Sequence, residues 1–311
     1  MQLTIKKKPY DGDPAADREK FIGGSDAGVI FGLNPYKSAY RLWAEKTGKI
    51  SGHVPDNDAM RTGRDLEQYV AERFCEQTGK KVHRVNATYY IEEYPFIAGH
   101  VDRKIVGENA ILECKTASSF QNEEYAAGNF PAHYYAQCQH YMAVTGADRV
   151  YLACLCFPHL YFTCYERDEA EIEALVSAER EFWRMIQEDE EPEPDGSESS
   201  AETLRELYPD SDPGKSLTMT KDVTRALECL ESMKQTADQI KAEIETQQNI
   251  IKAFMGEAET AVSADWTVTW KTQKRTAIDT ARLKAERPDI YEHYQKTTES
   301  RTFRTKRSKK K

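Results

Sequence analysis

The chain lacks the sequence features of secreted and membrane-spanning proteins. Its first residues, MQLTIKKKPYDGDPAAD, have a basic start but no apolar stretch of the kind that defines a signal peptide. Its longest apolar run, VYLACLCF, is too short to cross a bilayer. The seven cysteines are odd in number and include no C-x-x-C pair, which favours free thiols in a reducing cytosol over disulfides or zinc sites. These absences predict a cytoplasmic protein with no membrane partner.

The chain also lacks an overall positive charge, since its formal net charge is −9. That balance does not exclude nucleic acid as a partner, because a groove can be basic on an acidic protein. Hydrophobic residues make up 39% of the 311 residues, enough for a sizeable core and two domains. The acidic segment EDEEPEPDGSESS, rich in Pro and Ser, is typical of a linker. We therefore predict a first domain over 1–190, a linker over 191–211 and a second region over 212–311.

In the second region, apolar residues at spacings of three and four predict a long helix over 221–256. The pattern suits the seam of a coiled coil or of a helical hairpin. In the strand that follows, Trp266 and Trp270 alternate with polar residues, and these rings could stack on DNA or pack within the protein. The basic tail, 306–311, could likewise track phosphates or be a charged chain end.

In the first region, the sequence predicts the elements that would surround a site. Residues 64–77 form an amphipathic helix with Glu67 at the edge of its apolar stripe, so that Glu67 could point inward. Residues 82–118 alternate as strands, with a hairpin turn at 107–109. The segment FPAHYYAQCQHYMAVTG predicts a further helix.

The strand AILECKTAS carries charged residues among apolar neighbours. Glu113 and Lys115 are two positions apart, so they point to one side of the strand, and a hairpin brings Asp102 close to Glu113. Two neighbouring carboxylates repel each other unless a cation lies between them, and Mg²⁺ prefers oxygen ligands. With Lys115 holding a water, and Glu67 as a third carboxylate, the set suits metal-assisted hydrolysis of a phosphodiester. A plain ion pair fits the same spacing, because cross-strand Glu–Lys pairs are common, and both interpretations stay open on these residues alone.

Five sequence blocks carry a resemblance to a known family. In chain order they are IGGSDAGVIFGLNPY, LWAEKTG, TGRDLEQYVAERF, ILECKTAS and FPAHYYAQCQHYMAVTG. Over about residues 18–185 they resemble, in order and spacing, the YqaJ viral recombinase family, relatives of lambda exonuclease among the restriction-endonuclease-like nucleases. The resemblance implies an α+β, sandwich-like fold whose mixed central β-sheet is flanked by helices. The long helix and short strand of the second region would be added to this core.

The resemblance also implies roles for individual residues. Asp102 and Glu113 would bind the metal together with the backbone carbonyl of Cys114, and Glu67 would complete the metal site. Lys115 would position the water that attacks the phosphodiester.

The resemblance extends to two pairs outside the metal site. Gln137 and Tyr141 match a Q-x-x-x-Y helix, in which the glutamine belongs to the catalytic set and the tyrosine supports it. Ser25 and Arg18 match the block that receives the 5′ phosphate of DNA. Each residue of the alignment also has a plainer interpretation: Ser25 could cap a helix, Tyr141 could be a core residue, and Gln137 could bind only backbone.

The function implied is a Mg²⁺-dependent deoxyribonuclease, with Mn²⁺ able to substitute, that digests linear double-stranded DNA from its ends as a 5′→3′ exonuclease. It would leave 3′ single strands for a phage single-strand annealing protein, within a bacterial host cell, and it would assemble as a homo-oligomer, a ring trimer. We expect no iron–sulfur cluster, because the first cysteine is Cys75 and the others do not form a tight C-terminal group.

Two rival functions stay open. One is a structure-specific or sequence-specific endonuclease on the same fold, which would cut circular DNA, whereas an exonuclease needs ends. The other is a non-catalytic DNA-binding or assembly protein that uses the long helix. The complete set of Glu67, Asp102, Glu113 and Lys115 argues against the second rival, because a degenerate site usually loses one of these residues.

Overall fold

The computed structural model describes residues 3–10, 20–53 and 55–307. The chain forms two compact units that divide after Pro209. The strands described in the first unit are β1 (Ile5–Pro9), β2 (Val82–Arg84), β3 (Ala87–Ile91), β4 (Tyr94–Gly99), β5 (Arg103–Ile105), β6 (Ala110–Ala117), β7 (Arg149–Cys156) and β8 (His159–Glu166). Its helices are α1 (Gly24–Ile30), α2 (Ala39–Lys46), α3 (Asp58–Thr78), α4 (Asn122–Ala126), α5 (Ala132–Thr145), α6 (Glu169–Gln187) and α7 (Glu198–Leu207).

The strands of the first unit form a larger mixed sheet and a smaller antiparallel one. The larger sheet has the order β2-β5-β6-β7-β8, in which β6 and β7 run parallel and every other pair of neighbours runs antiparallel. The smaller sheet has the order β1-β3-β4. A mixed central sheet with helices around it confirms the predicted α+β fold class.

Helices pack on both faces of the larger sheet, and strand β6 shows how its residues divide between them. Ile111 is buried in a cluster with residues of α5 and α6, whereas Leu112 is buried in a second cluster with residues of α3. Burying each of these side chains stabilises the fold by about 1.5–3 kcal/mol, so the register of β6 is strongly fixed. Because strand residues alternate, Glu113 and Lys115 share the α5 face with Ile111.

The hairpin between β5 and β6 forms where the sequence predicts it. Arg103 pairs with Leu112 in the antiparallel register, and Gly107 adopts a positive φ of 82° in the turn. That backbone conformation is readily available to glycine and costly for most other residues. Asp102 directly precedes β5, and it therefore lies at the open end of the hairpin rather than within the paired segment.

Helix α3 starts earlier than its apolar pattern predicts. The periodic residues indicate a start near residue 64, but the helix begins at Asp58. The side chain of Asn57 accepts a hydrogen bond from the Met60 N–H and satisfies one of the free donors of the first turn. The extra turns are exposed, so they leave no trace in hydrophobic periodicity.

The acidic segment predicted as a linker over 191–211 is in part a folded element of the first unit, so this prediction is wrong for 198–207. Helix α7 lies within it, and Ser199 Oγ accepts a hydrogen bond of 3.0 Å from the Ser38 N–H at the start of α2. Arg41 of α2 forms an ion pair of 2.9 Å with Glu206 of α7, and Thr203 is fully buried. Small polar side chains make this contact, and a segment of that composition is predicted to be exposed to solvent.

The second unit contains the predicted long helix. Its elements are α8 (Lys221–Met255), the antiparallel hairpin of β9 (Thr260–Val262) and β10 (Thr267–Thr269), α9 (Thr280–Glu286) and α10 (Pro288–His293). The 35 residues of α8 run without a break, so the seam does not fold back on itself as a helical hairpin. Trp266 and Trp270 flank β10 and are exposed. None of the helices in the described residues is long and apolar enough to cross a membrane.

Candidate active site

The side chain of Asp102 accepts a hydrogen bond from the main chain in the middle of strand β6. The Cys114 N–H donates to Oδ2 of Asp102 at 2.9 Å. This contact lies beyond the point at which β5 pairs with β6. In a strand, the N–H and C=O of one residue point toward the same edge, so the Cys114 carbonyl also lies on the edge that faces Asp102.

Glu113 is the most enclosed carboxylate of the group. It is 3% exposed, and its Oε1 accepts a hydrogen bond of 2.9 Å from Nε2 of Gln137 on α5. The same Gln137 nitrogen lies 2.9 Å from the hydroxyl oxygen of Tyr141, one helical turn further along α5. Oε2 of Glu113 is buried and has no hydrogen-bond partner within the described part of the chain. A buried carboxylate oxygen without a donor is costly, which marks this atom as a position for a ligand.

The ammonium group of Lys115 lies beside the same carboxylate. Its Nζ is 2.7 Å from Oε1 of Glu113 and 5.2 Å from the centre of the Tyr134 ring. Burial alone would lower the pKa of Lys115, but the charge and hydrogen bond of Glu113 raise it above its ordinary value. The side chain of Lys115 is therefore positively charged and fixed beside Glu113, where it can donate hydrogen bonds. It is not a candidate general base at neutral pH.

Asp102 titrates far from its ordinary range in the absence of a cation. Burial, followed by the negative charge of Glu113, raises the pKa of Asp102 to about 8, although the Cys114 N–H opposes this shift. Glu67 contributes to the same rise, so its carboxylate also lies within electrostatic reach of Asp102. A crowded carboxylate with a raised pKa, such as Asp102, is typical of sites that hold a positive charge.

Glu67 lies at the edge of this group and is bound to an arginine. Nη1 of Arg103 contacts Oε1 of Glu67 at 2.5 Å and the main-chain oxygen of Asp102 at 2.8 Å. Nη2 of Arg103 donates to Oε1 of Gln68 at 3.1 Å. The Arg103 side chain is 3% exposed, so it bridges α3 to the residue before β5 from within the protein. Glu67 is thus paired with Arg103, as Glu113 is paired with Lys115.

The donor set fits a hard divalent cation such as Mg²⁺. Asp102 and Glu113 offer carboxylate oxygens, Cys114 offers a main-chain oxygen, and Mg²⁺ takes oxygen ligands while keeping several waters. Among the described residues, no group of three or more His, Cys, Asp or Glu side chains is arranged to hold a metal ion. The side-chain ligands that the structure brings together are therefore two, with Glu67 turned toward Arg103.

Helix α1 borders this site and carries Ser25 on its exposed side. A Cβ atom at Gly24 would lie 2.7 Å from the Tyr141 ring, so α1 and α5 are in close contact next to Gln137. The N-cap of α1 is Gly23, whose N–H donates to Asp26 at 3.1 Å, so the plainer interpretation of Ser25 as a helix cap is wrong. Arg18, the other residue matched to 5′-phosphate binding, lies outside the described residues.

Comparison with known proteins places the chain in a family. A family model described as the YqaJ-like viral recombinase domain matches residues 15–148. The protein YqaJ of Bacillus subtilis strain 168 is 35% identical over 291 residues, which cover 92% of this chain and 91% of that protein. The chain belongs to the YqaJ-like viral recombinase family. This result confirms the resemblance carried by the five sequence blocks.

Two solved structures resemble this family member in fold. One is the alkaline exonuclease LHK-Exo of Laribacter hongkongensis, with 20% identity and a TM-score of 0.50, covering 56% of this chain and 92% of that chain. The other is LHK-Exo in complex with dAMP, with 21% identity and a TM-score of 0.51 over the same shares. Together with the mixed sheet, these similarities confirm the predicted restriction-endonuclease-like core.

Arg103 and Tyr134 contact the site but are missing from the sequence prediction. A signal for Arg103 was available. Adjacent strand residues point to opposite faces, so Arg103 lies on the face opposite Asp102, where a buried arginine needs a carboxylate partner. Tyr134 gives no such signal, since its contact with Lys115 joins two elements whose relative position only the fold determines.

Proposed function

We propose that this YqaJ-like protein is a divalent-metal-dependent deoxyribonuclease that digests linear duplex DNA from its ends in the 5′→3′ direction. The observation that carries the proposal is the buried Oε2 atom of Glu113, which has no partner in the described residues beside an ionised Lys115 and the crowded Asp102. Its structural relatives, an alkaline exonuclease and the same enzyme in complex with dAMP, support DNA as the substrate class.

In this proposal, Asp102 and Glu113 hold Mg²⁺, or Mn²⁺ in its place, with the Cys114 main-chain oxygen as a further ligand. When bound there, the metal would supply positive charge against the charge that develops on the phosphate oxygens. Lys115 donates a hydrogen bond to the attacking water and orients it toward phosphorus. Gln137 holds Glu113 in the orientation that the metal needs, because its amide donates to Oε1 and leaves Oε2 available.

Glu67 and Tyr141 support this arrangement from either side. Glu67 keeps a third negative charge near Asp102 while its own oxygen is bound by Arg103. Tyr141 accepts a hydrogen bond from Gln137, which limits the rotation of the amide. Both contacts reduce the conformational freedom of the groups that would hold the metal.

We propose that Ser25 and Arg18 bind the 5′ phosphate of the DNA end and thereby set the direction of digestion. Ser25 is exposed on α1, the helix that contacts Tyr141 through Gly24. A hydroxyl and a guanidinium group are suitable donors to phosphate oxygens. The 3′ strand that remains would be the substrate of a phage annealing protein, and a ring trimer would keep the enzyme on its DNA.

The proposal is tested with matched linear and closed circular duplexes, in Mg²⁺ and in chelator. Linear substrates carry a label at one 5′ or one 3′ end and either a 5′ phosphate or a 5′ hydroxyl. We expect metal-dependent loss of linear DNA only, early release of the 5′ label, and faster digestion of the 5′-phosphorylated ends. Early release of the 3′ label would contradict the assigned direction.

Cleavage of the closed circle would instead favour an endonuclease built on the same two carboxylates. A folded protein that cleaves neither the circle nor the linear substrate, in Mg²⁺ or in Mn²⁺, would favour the non-catalytic assembly function. The same experiment therefore separates all three functions.

A further inference from the structure

Helix α8 carries a seven-residue repeat over five consecutive heptads. When Val223 is placed at position a, nine of the ten a and d positions are apolar and the exception is Gln247. The a positions are Val223, Leu230, Ala237, Ile244 and Ile251, and the d positions are Ala226, Met233, Ile240, Gln247 and Phe254. An apolar repeat sustained over this many heptads is the pattern of a coiled coil.

The seam formed by these a and d residues is exposed along the helix. Of its nine apolar side chains, eight are exposed and Leu230 is partly buried; Met233 and Phe254 are 68% and 84% exposed. Within the second unit, no other described helix or strand packs extensively along α8, and Arg307 of the C-terminal segment contacts Glu231 beside the seam at 3.5 Å. A helix of 35 residues gains most of its stability by burying an apolar face, so a partner for this seam is expected.

We propose that α8 of two copies of this chain pair as a parallel two-stranded coiled coil. The identity of the core residues supports two strands. Val223, Ile244 and Ile251 are β-branched at a, whereas Ile240 is the one β-branched residue at d. Branching concentrated at a favours dimers over larger bundles.

The charges beside the seam favour a second copy in parallel orientation. Lys234 and Lys241 occupy e positions. In a parallel pair each e residue faces a g residue of the other copy, here Cys229 and Thr236, so neither lysine meets a like charge. In an antiparallel pair the e positions face each other, and Lys234 of one copy would lie near Lys241 of the other. That arrangement brings like charges together and is destabilised.

The area of the seam is large enough for a stable dimer. A buried Val, Leu, Ile, Met or Phe side chain removes on the order of 60–100 Å² from water. Seven such side chains from each of two helices therefore remove on the order of 800–1,400 Å² from water, and the two alanines of each seam add to this area. This reaches the area of about 1,000 Å² expected of a biological interface. The dimer through α8 is a separate assembly from the ring trimer implied by family resemblance, and it does not depend on nuclease activity.

The mass of the full-length protein in solution tests the interface. We expect an even multiple of the chain mass of 35.6 kDa by light scattering coupled to size exclusion: twice that mass for the α8 dimer alone, and six times where ring trimers also form. The seam variant Ile240→Glu/Ile244→Glu should weaken association at least about 100-fold, because it buries four carboxylates in the dimer core. The control Gln239→Glu/Asn249→Glu adds the same charge at c and f, away from the seam, and should remain dimeric.

Three results would overturn the dimer: a wild-type protein with the mass of one chain or of three, a mass that the seam variant leaves unchanged, or equal dissociation of the seam and control variants. Circular dichroism and the thermal unfolding of the first unit show whether the seam variant is otherwise folded.

Cross-linking tests the parallel orientation. In a protein with Cys164→Ser and Cys229→Ser, the further change Ala226→Cys places one thiol at a d position near the start of α8. A parallel dimer brings the two thiols together, and mild oxidation should yield a covalent dimer. Arg225→Cys, at position c, should yield none. A dimer of unchanged mass that does not cross-link at 226 would contradict the parallel orientation.

Discussion

Nζ of Lys115 lies 2.7 Å from Oε1 of Glu113, two positions earlier on the same strand. Gln137 donates to that same oxygen at 2.9 Å, so both protein donors use one side of the carboxylate. The other oxygen, Oε2, is buried with no hydrogen-bond partner in the described residues. A carboxylate that was only a structural ion pair would gain by distributing its donors over both oxygens. The asymmetry therefore favours a site that receives a cation.

Replacing Gln137 by Leu removes the donor that orients Glu113. We expect the free energy of unfolding to fall by about 1–3 kcal/mol, since buried acceptors lose their partner, and DNA cleavage to fall at least about 10-fold. Gln139→Leu is the matched control: this glutamine is also buried on α5, and it donates to the Tyr135 hydroxyl and the Glu166 carbonyl. Urea denaturation should show similar losses for both variants, while cleavage falls for Gln137→Leu only. Equal cleavage rates for the two variants would show that Gln137 has no specific role in the active site.

Arg103→Met should destabilise the protein through Glu67. The change leaves Glu67 without its closest cation and removes a buried bridge between α3 and the residue before β5. Breaking a largely buried ion pair at one partner costs about 2–4 kcal/mol, given that Glu67 is partly exposed. Adding Glu67→Leu to Arg103→Met should recover part of the loss, with a coupling of about 1–3 kcal/mol in a double-mutant cycle. Strictly additive effects would show that the two residues do not stabilise one another.

Gly28→Ala should destabilise the contact between α1 and α5. An added Cβ would lie 2.7 Å from the His133 Cβ and 3.0 Å from its Cα, so a main-chain segment has to move. Overpacking of this kind costs about 1–3 kcal/mol. In contrast, Gly63→Ala on α3 would meet only the Thr116 hydroxyl at 3.6 Å, and it should be neutral or stabilising because alanine favours helix by about 0.5–1 kcal/mol. Thermal unfolding of the two variants measures the difference, and a stabilised Gly28→Ala protein would contradict the close packing.

Metal binding without DNA should strengthen as the pH rises toward 8. The pKa of Asp102 is raised to about 8, so below that pH the carboxyl is mostly protonated and a cation has to displace the proton. Between pH 6 and pH 8 the apparent affinity for Mg²⁺ should rise by up to on the order of 50-fold, with proton release measurable by calorimetry in two buffers. Asp102→Asn should bind weakly with little pH dependence. Affinity that is constant over this range would contradict the crowded carboxylate pair.

The fold could be predicted through the family resemblance, whereas the hairpin and the centre of the site could be predicted because they follow from local alternation. Ile111 and Leu112 fix the faces of β6, a glycine turn returns the chain, and Asp102, Glu113 and Lys115 then lie together. What could not be predicted depends on contacts between distant segments. The position of Tyr134 over Lys115 is of this kind, and so is the packing of α7 through small polar residues such as Ser199. These contacts have no periodic pattern in the sequence.

The most direct test of the proposed active site is the rate of Mg²⁺-dependent loss of 5′-phosphorylated linear duplex by wild type and Lys115→Ala, compared at equal concentrations of folded protein. If Lys115 orients the attacking water beside Glu113, the variant should bind the DNA end but cleave it on the order of 10²–10⁴-fold more slowly. A Lys115→Ala protein that digests the duplex at the wild-type rate would contradict the assignment of this cluster as the active site.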